Sequence, residues 1–139
     1  LEVTASAGNE DAGIDLNIDP GLVDADGSEI LSITISNVPD GAVLSAGTDN
    51  GDGSWSLSEA DLVGLQVTPP TDSNEDFNLT ITATSTESSN GDIAETSAEI
   101  PVSVLGVADD ANLDVTESSG SEDTEIPLTI VKSLNDTDG

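Results

Sequence analysis

An internal sequence repeat constrains the fold of this chain more than any other feature. Residues 1–27, LEVTASAGNEDAGIDLNIDPGLVDADG, align without a gap on residues 113–139, LDVTESSGSEDTEIPLTIVKSLNDTDG, and 14 of the 27 positions are identical. A match at a fixed shift is typical of a tandem array, and a period of 112 residues suits a self-sufficient domain better than a solenoid unit. The sequence therefore predicts one complete repeat over 1–112, with 106–112 as its linker, and the incomplete N-terminal part of the next repeat over 113–139.

The charge of the chain excludes several classes of partner. Residues 1–112 contain 22 Asp and Glu but no Lys, Arg, His or Cys, and the net charge of the whole chain is -28. A nucleic-acid partner is excluded because nothing here neutralises phosphate, and an anionic membrane surface is disfavoured for the same reason. Self-repulsion of this size destabilises a compact state, so we expect bound cations or high salt to offset it. Disulfides cannot replace them, because cysteine is absent.

Period-two alternation of apolar and polar residues predicts an all-β chain. Leu79, Ile81 and Ala83, for example, alternate with threonines. Turn signals such as Asn50-Gly51 and Asn90-Gly91 separate the runs. The predicted strands are 1–6 with 14–18 (A), 29–38 (B), 42–47 (C), 54–57 (D), 65–68 (E), 77–87 (F) and 93–105 (G). Seven short strands at this spacing predict an Ig-like, Greek-key β-sandwich, with Trp55 and Phe77 in its core.

Counting strand directions predicts where the acidic loops fall. With seven alternating strands, the A–B, C–D and E–F loops lie at the end from which the chain leaves the domain. The carboxylates predicted to meet there include Asp24, Asp26 and Glu29 from A–B, Asp72 and Asp76 from E–F, and Asp109 and Asp110 from the exit. Such a cluster repels itself unless it binds a hard cation. Calcium fits best, since it takes six to eight oxygen ligands in irregular geometry, whereas zinc would find no His or Cys.

Two local patterns favour calcium, although a solvated acidic loop is the alternative for each. Residues 24–29, DADGSE, place three carboxylates around a turn, and their Asp-x-Asp-Gly core recurs at 136–139. Residues 72–76, DSNED, have the spacing that opens a calcium loop but lack the glycine of an EF-hand. Glu10 and Asp11 recur as Glu122 and Asp123, so the following domain's first strand is a further candidate source of ligands; a solvated bulge is the alternative.

Five segments that together span most of the chain are similar to a known family: GNEDAGIDLNI, LVDADGSEILSITISNVPDGAVLSAG, DGSWSLSEADLVGLQVTPP, DFNLTITATSTE and VSVLGVADDANLDVTES. They resemble the repeats of very large bacterial RTX adhesins. The resemblance implies a cadherin-like or Ig-like extender domain, stiffened by calcium and repeated many times in an exported surface protein. It matches Asp24, Asp26, Glu29, Asp109 and Asp110 to the acidic loop and linker thought to bind calcium. The same resemblance implies type I secretion, cell adhesion and biofilm formation.

Three functions compete at this point. A calcium-dependent spacer whose partners are neighbouring repeats is the leading hypothesis. The alternative is a module that binds carbohydrate or an abiotic surface such as ice, which is weakened by the missing aromatic platform and by a threonine row limited to Thr80, Thr82 and Thr84. An enzyme is not expected, because only carboxylate chemistry is available and the acids lie in polar loops. No membrane insertion and no small-molecule substrate are expected either.

Overall fold

The computed structural model describes residues 1–21, 29–108 and 110–133. The chain divides into two compact units, Leu1–Gly106 and Val107–Gly139. The division falls within the predicted linker 106–112. We describe each unit by itself.

The described residues form strands and no α-helix. In unit 1 the strands are β1 (Glu2–Val3), β2 (Ser6–Asn9), β3 (Ile14–Asp15), β4 (Ile18–Asp19), β5 (Glu29–Ser36), β6 (Val43–Leu44), β7 (Thr48–Asp49), β8 (Trp55–Leu57), β9 (Gln66–Thr68), β10 (Phe77–Glu87) and β11 (Ile93–Leu105). Unit 2 contains β12 (Asn112–Val115) and β13 (Ile130–Ser133). One turn of 3-10 helix, Glu59–Leu62, follows Ser58, whose backbone N–H and hydroxyl both donate to the Asp61 carboxylate. No helix in the described part of the chain is long and apolar enough to cross a membrane.

Six strands make a large sheet in the order β2-β11-β10-β5-β8-β7. Its centre is β10, which pairs antiparallel with β11 and β5 and places Ile81 opposite Ala98 and Ile35. Because side chains alternate between the faces of a strand, the apolar residues fall on one face and threonine and serine on the other. The apolar face is buried: Ile35, Ile81 and Ile100 are inaccessible to solvent.

The second sheet of unit 1 completes the core. It has the order β3-β9-β6, with Val67 of β9 opposite both Ile14 of β3 and Leu44 of β6. These three side chains are buried in the same apolar cluster as those of the large sheet. Two curled sheets around one core are consistent with the predicted β-sandwich.

Residues 1–21 form a strand pair that contributes to both sheets. β1 pairs antiparallel with β4, so the chain reverses direction between Asn9 and Ile14. Before the reversal, β2 joins the edge of the large sheet in parallel with β11. After it, β3 joins the small sheet. Asp11 makes the reversal with φ of 56°, a conformation that Asp tolerates better than most residues.

Unit 2 reproduces this strand pair at a shift of 112 residues. Val115 faces Ile130 as Val3 faces Ile18. The Ser118 hydroxyl donates to the carbonyl of Pro127 at 2.8 Å, as the Ser6 hydroxyl donates to that of Asp15 at the same distance. Asp123, at the position of Asp11, also has positive φ, 59°. The internal repeat is therefore a repeat of backbone conformation as well as of sequence.

The predicted strands F (77–87) and G (93–105) match β10 and β11 at both ends. B, D and E agree with β5, β8 and β9 within two residues. Of the predicted strand C (42–47) only β6 forms, and β7 follows it as a separate strand that was not predicted. The prediction of strand A was wrong in one respect. Residues 1–18 were counted as one pass along the domain, but they make two antiparallel passes, one in each sheet. Trp55 and Phe77 were predicted to lie in the core; they are half-buried and pack against it from its margin.

Replacing Ile100 by alanine tests the location of the core against a matched control on the same strand. Ile100 is fully buried, whereas Ile93 is 64% exposed. We expect Ile100→Ala to lower the free energy of unfolding by about 2–5 kcal/mol, because it removes buried methyl groups and leaves a cavity. Ile93→Ala should change it by less than about 0.5 kcal/mol. Urea unfolding measures both, and equal effects would contradict this core.

Candidate functional site

The acidic residues of unit 1 are best described by the two ends of its sheets. We call the end where β11 finishes, at Leu105, the distal end, and the opposite end, where Leu1 lies near Gly21, the proximal end. β10 begins at the distal end, since Phe77 faces Val102. β5 begins at the proximal end, since Glu29 faces Glu87.

The acidic loop before β10 lies at the distal end, as predicted for Asp72 and Asp76. The Asp76 carboxylate accepts hydrogen bonds from the Val104 backbone N–H at 2.7 Å and from the Ser103 hydroxyl at 3.1 Å. Asp76 therefore fixes the loop to the last residues of β11. The backbone N–H of Asp72 donates to the Asp11 carboxylate at 3.1 Å, which ties the same loop to the reversal of the strand pair.

Glu10 and Asp11 lie at the distal end of their own repeat. β2 runs parallel to β11, and the Glu10 backbone N–H donates to the Leu105 carbonyl at 3.0 Å. The Glu10 side chain is only 7% exposed, so for this residue the solvated bulge is excluded; Asp11 is exposed. A Cβ at Gly106 would lie 3.1 Å from Asn74 Nδ2 and 3.7 Å from Glu10 Oε1. The buried carboxylate, the loop amide and the backbone that leaves β11 are therefore neighbours.

The predicted placement of Glu29 was wrong. Glu29 opens β5 at the proximal end, opposite Glu87, and does not lie with Asp72 and Asp76. The error arises because strand A was counted as one pass, whereas residues 1–21 make two. The same correction applies to the expectation that Glu10 and Asp11 of a following domain would face its predecessor, because these residues lie at the distal end of the repeat that contains them.

Four other predicted ligands cannot be placed with Glu10, Asp11, Asp72 and Asp76, which we call the distal cluster. Asp24, Asp26 and Asp109 lie outside the described residues. Asp110 belongs to unit 2, where it is exposed.

Two exposed carboxylates outside the distal cluster are occupied by local turns. The Ser54 hydroxyl and then its backbone N–H, both donating to Asp52, hold the pKa of that carboxyl below its usual value. The Ser58 backbone N–H and then its hydroxyl lower the pKa of Asp61 in the same way. These hydrogen bonds stabilise a hairpin turn and a 3-10 turn.

The distal cluster offers oxygen ligands but does not complete a cation site. Glu10, Asp11, Asp72 and Asp76 supply carboxylates of the kind that calcium prefers. Within residues 1–21, 29–108 and 110–133, however, no three Asp or Glu side chains converge closely enough to hold a metal ion. Both oxygens of Asp76 already accept hydrogen bonds. The described carboxylates fit calcium as part of a ligand set, and further oxygens are needed to complete it.

Sequence reasoning missed Asn74 and Gly106, which the fold brings beside Glu10. Asn74 carried a usable signal as the middle residue of the DSNED run. Gly106 carried none, because its proximity to Asn74 depends on how the loop before β10 meets the end of β11.

Sequence reasoning also underestimated the hydroxyl row, which runs across the strands as well as along one. Its members face one another in turn over five strands of the large sheet: Thr48, Ser56, Thr34, Thr82 and Ser97. The Thr82 and Ser97 hydroxyls are 2.9 Å apart. All five lie on the face opposite the core.

No family model, curated protein or solved structure matches the chain.

Substitutions of Asp76 test whether the distal loop depends on its carboxylate. Asp76→Ala leaves the partly buried Val104 N–H without its acceptor, and we expect it to lower the free energy of unfolding by about 1–3 kcal/mol. Asp76→Asn keeps an acceptor oxygen and should cost less. Alanine at Glu75, an exposed neighbour, is the control. If chemical unfolding in a chelator gives Asp76→Ala and Glu75→Ala the same stability, the anchoring role of Asp76 is wrong.

Proposed function

We propose that residues 1–112 are an Ig-like spacer repeat of a large secreted bacterial adhesin, stabilised by calcium where one repeat is followed by the next. The observation that carries the proposal is the group of carboxylates at the distal end. Glu10, Asp72 and Asp76 come from two separate segments, and the chain leaves the repeat beside them through the acidic linker 106–112. In the resemblance to RTX adhesins, such spacers hold a terminal binding region away from the cell for attachment and biofilm formation.

Electrostatics supports a cation at this end. Glu10 is buried, and a nearby cation would stabilise its carboxylate beyond the contacts that it already makes within the protein. The chain has a single basic residue, Lys132, against 29 acidic ones, so protein cations cannot balance the acids. In the proposed site Glu10, Asp11, Asp72 and Asp76 supply part of the ligand set, and Asp109 and Asp110 of the linker add to it. Bound calcium would supply positive charge that links the loop, the strand pair and the linker.

The proximal end is the natural counterpart in an array. It carries Glu29, Glu87 and Asp92, with the Asp24–Asp26 loop adjoining Glu29 in sequence. When repeats follow one another end to end, the proximal end of each one comes after the distal end of its predecessor. Two acidic ends would repel each other, and divalent cations between them would turn that repulsion into attraction. We therefore propose that calcium sets the stiffness of the array.

Thermal unfolding with and without calcium tests this proposal. We expect calcium at about 100 times its dissociation constant to stabilise the chain by about 2.7 kcal/mol relative to a chelator at low ionic strength. Glu10→Gln should abolish most of the calcium-dependent gain, because it removes the buried charge. Glu99→Gln removes an exposed charge from the outer face of β11 and should leave the gain intact. Unchanged thermal unfolding on adding calcium would contradict the proposal.

A second candidate function, the surface-binding module, is favoured by the hydroxyl row. With strands spaced about 4.8 Å apart, five facing residues form a row of about 19 Å. Such a row offers regularly spaced donors and acceptors to a carbohydrate or to ordered water on an ice surface. Trp55 does not add an aromatic platform, because it is half-buried against the core.

An ice-affinity assay and a glycan array separate the two functions. If the hydroxyl row binds either target, the intact chain should be retained, and replacing Thr34 and Thr82 by alanine should release it. Substituting the outward-facing Glu95 by glutamine is the control for a change on the same face. Lack of retention in both assays would eliminate this candidate and leave the spacer function untouched.

A further inference from the structure

The tripeptide Asn-Gly-Asp occurs twice in unit 1, in two loops with different hydrogen bonds. Residues 50–52 lie between β7 and β8, and residues 90–92 lie between β10 and β11. Both asparagines are exposed, and both glycines have φ of 78°. An asparagine before glycine is open to attack on its side-chain carbon by the glycine nitrogen, since glycine has no side chain to obstruct the approach. The two loops therefore present one reactive sequence in two surroundings.

The loop around Asn50 restrains both reacting groups. The Asn50 side-chain nitrogen donates to the hydroxyls of Ser54 and Ser56 at 2.9 Å and 3.1 Å. The Gly51 backbone N–H donates to the Asp49 carboxylate at 2.8 Å. Attack requires this nitrogen to give up its proton, and a hydrogen bond to an ionised acceptor is roughly twice as strong as a neutral one. Cyclisation at Asn50 must therefore break a charge-assisted bond and also release the side chain from the hairpin.

At Asn90 the aspartate of the tripeptide contacts the asparagine itself, whereas the Asp52 carboxylate bonds to Ser54. The Asp92 backbone N–H donates to Asn90 Oδ1 at 2.9 Å, and Asn90 Nδ2 donates to the Asp92 carboxylate at 2.9 Å. When the side-chain carbon is attacked, negative charge develops on Oδ1, where a fixed N–H stabilises it. The nitrogen that leaves is in contact with a carboxylate, which stabilises its protonated form. Asp92 thus favours the reaction at both polar atoms of the amide.

The glycine nitrogen at this second loop is also less restrained than its counterpart. The Gly91 N–H donates to the backbone carbonyl of Glu87 at 2.8 Å, which is a neutral acceptor. Loss of the proton from Gly91 is therefore opposed less than loss of the proton from Gly51, whose acceptor is ionised. The nucleophile and the amide that it attacks both differ between the loops in the direction that favours Asn90.

We propose that Asn90-Gly91 is a self-modification site, at which the chain converts Asn90 into aspartate and isoaspartate while Asn50 is spared. The Gly91 nitrogen forms a bond to Asn90 Cγ, the bond between Cγ and Nδ2 breaks, and the proton of Gly91 leaves with Nδ2 as ammonia. The product is a succinimide ring. Water then adds to either of its two carbonyl carbons and opens the ring, which gives aspartate or isoaspartate. An amide and a water are consumed, an acid and ammonia are formed, and nothing is oxidised or reduced.

The modification changes the charge of the proximal end. The loop of Asn90 lies there, where Glu29 faces Glu87 and Asp92 follows in the same loop. Each conversion adds one carboxylate to these acids, so their mutual repulsion increases and is relieved by dissolved cations. This inference goes beyond the proposed function and does not depend on it, because no step involves calcium or a second repeat.

Peptide mapping by mass spectrometry tests the proposal on the full chain. The folded protein is kept in warm, mildly alkaline buffer with a chelator, and samples are digested with a glutamate-specific protease, which separates residues 50–52 from residues 90–92. We expect Asn90 to show the mass change from amide to acid at least about tenfold faster than Asn50, a factor that one charge-assisted hydrogen bond supplies. In concentrated urea the loop structures are lost, and the two identical tripeptides should convert at similar rates.

Three substitutions assign the difference to the hydrogen bonds. Asp92→Ala keeps the backbone N–H but removes the carboxylate, and it should slow the conversion of Asn90. Asp49→Ala removes the charged acceptor of the Gly51 N–H and should speed the conversion of Asn50. Asn90→Gln should leave the mass of its peptide unchanged, because the longer side chain does not form the five-membered ring. Equal rates at the two asparagines of the folded chain, a difference that persists in urea, or no response to Asp92→Ala would overturn the proposal.

Discussion

The rest of the structure depends on how residues 1–21 dock on both sheets at once. β2 extends the large sheet and β3 extends the small one, with a reversal at Asp11 between them. This double pass sets the direction in which β5 enters the large sheet, and hence the end at which every later loop lies. Glu10 reaches the end of β11 because of it, and Glu29 is carried to the opposite end.

The distribution of charge follows from the same arrangement. Aliphatic side chains fill the space between the sheets, with one Trp and one Phe at its margin, and neither disulfides nor basic residues support them. The carboxylates remain in loops, at strand ends and on outer faces, and their mutual repulsion opposes folding. A cation bound at the distal end would reduce this repulsion where the chain is most constrained. This is the physical reason for linking calcium to stability in the proposed spacer.

The two strand pairs show how much local sequence specifies and how much it leaves to its surroundings. Residues 113–133 adopt the register, hydrogen bonds and positive φ of residues 1–21 although they belong to a different compact unit. Burial does not follow from those local features, since Leu16 is covered and Leu128 is exposed.

The sequence by itself determined the all-β class, the limits of β10 and β11, the packing of Trp55 and Phe77 against the core and the repetition of the strand pair. These features depend on alternation and turn residues, which act over a few neighbours along the chain. Only the tertiary structure decided which acidic residues share an end. The pairing of β2 with β11 and the reversal at Asp11 bring Glu10 next to Asn74 and Gly106. The same arrangement separates these three residues from Glu29. Strand direction is a property of the assembled sheets, and one uncounted reversal transfers a whole loop to the other end of the molecule.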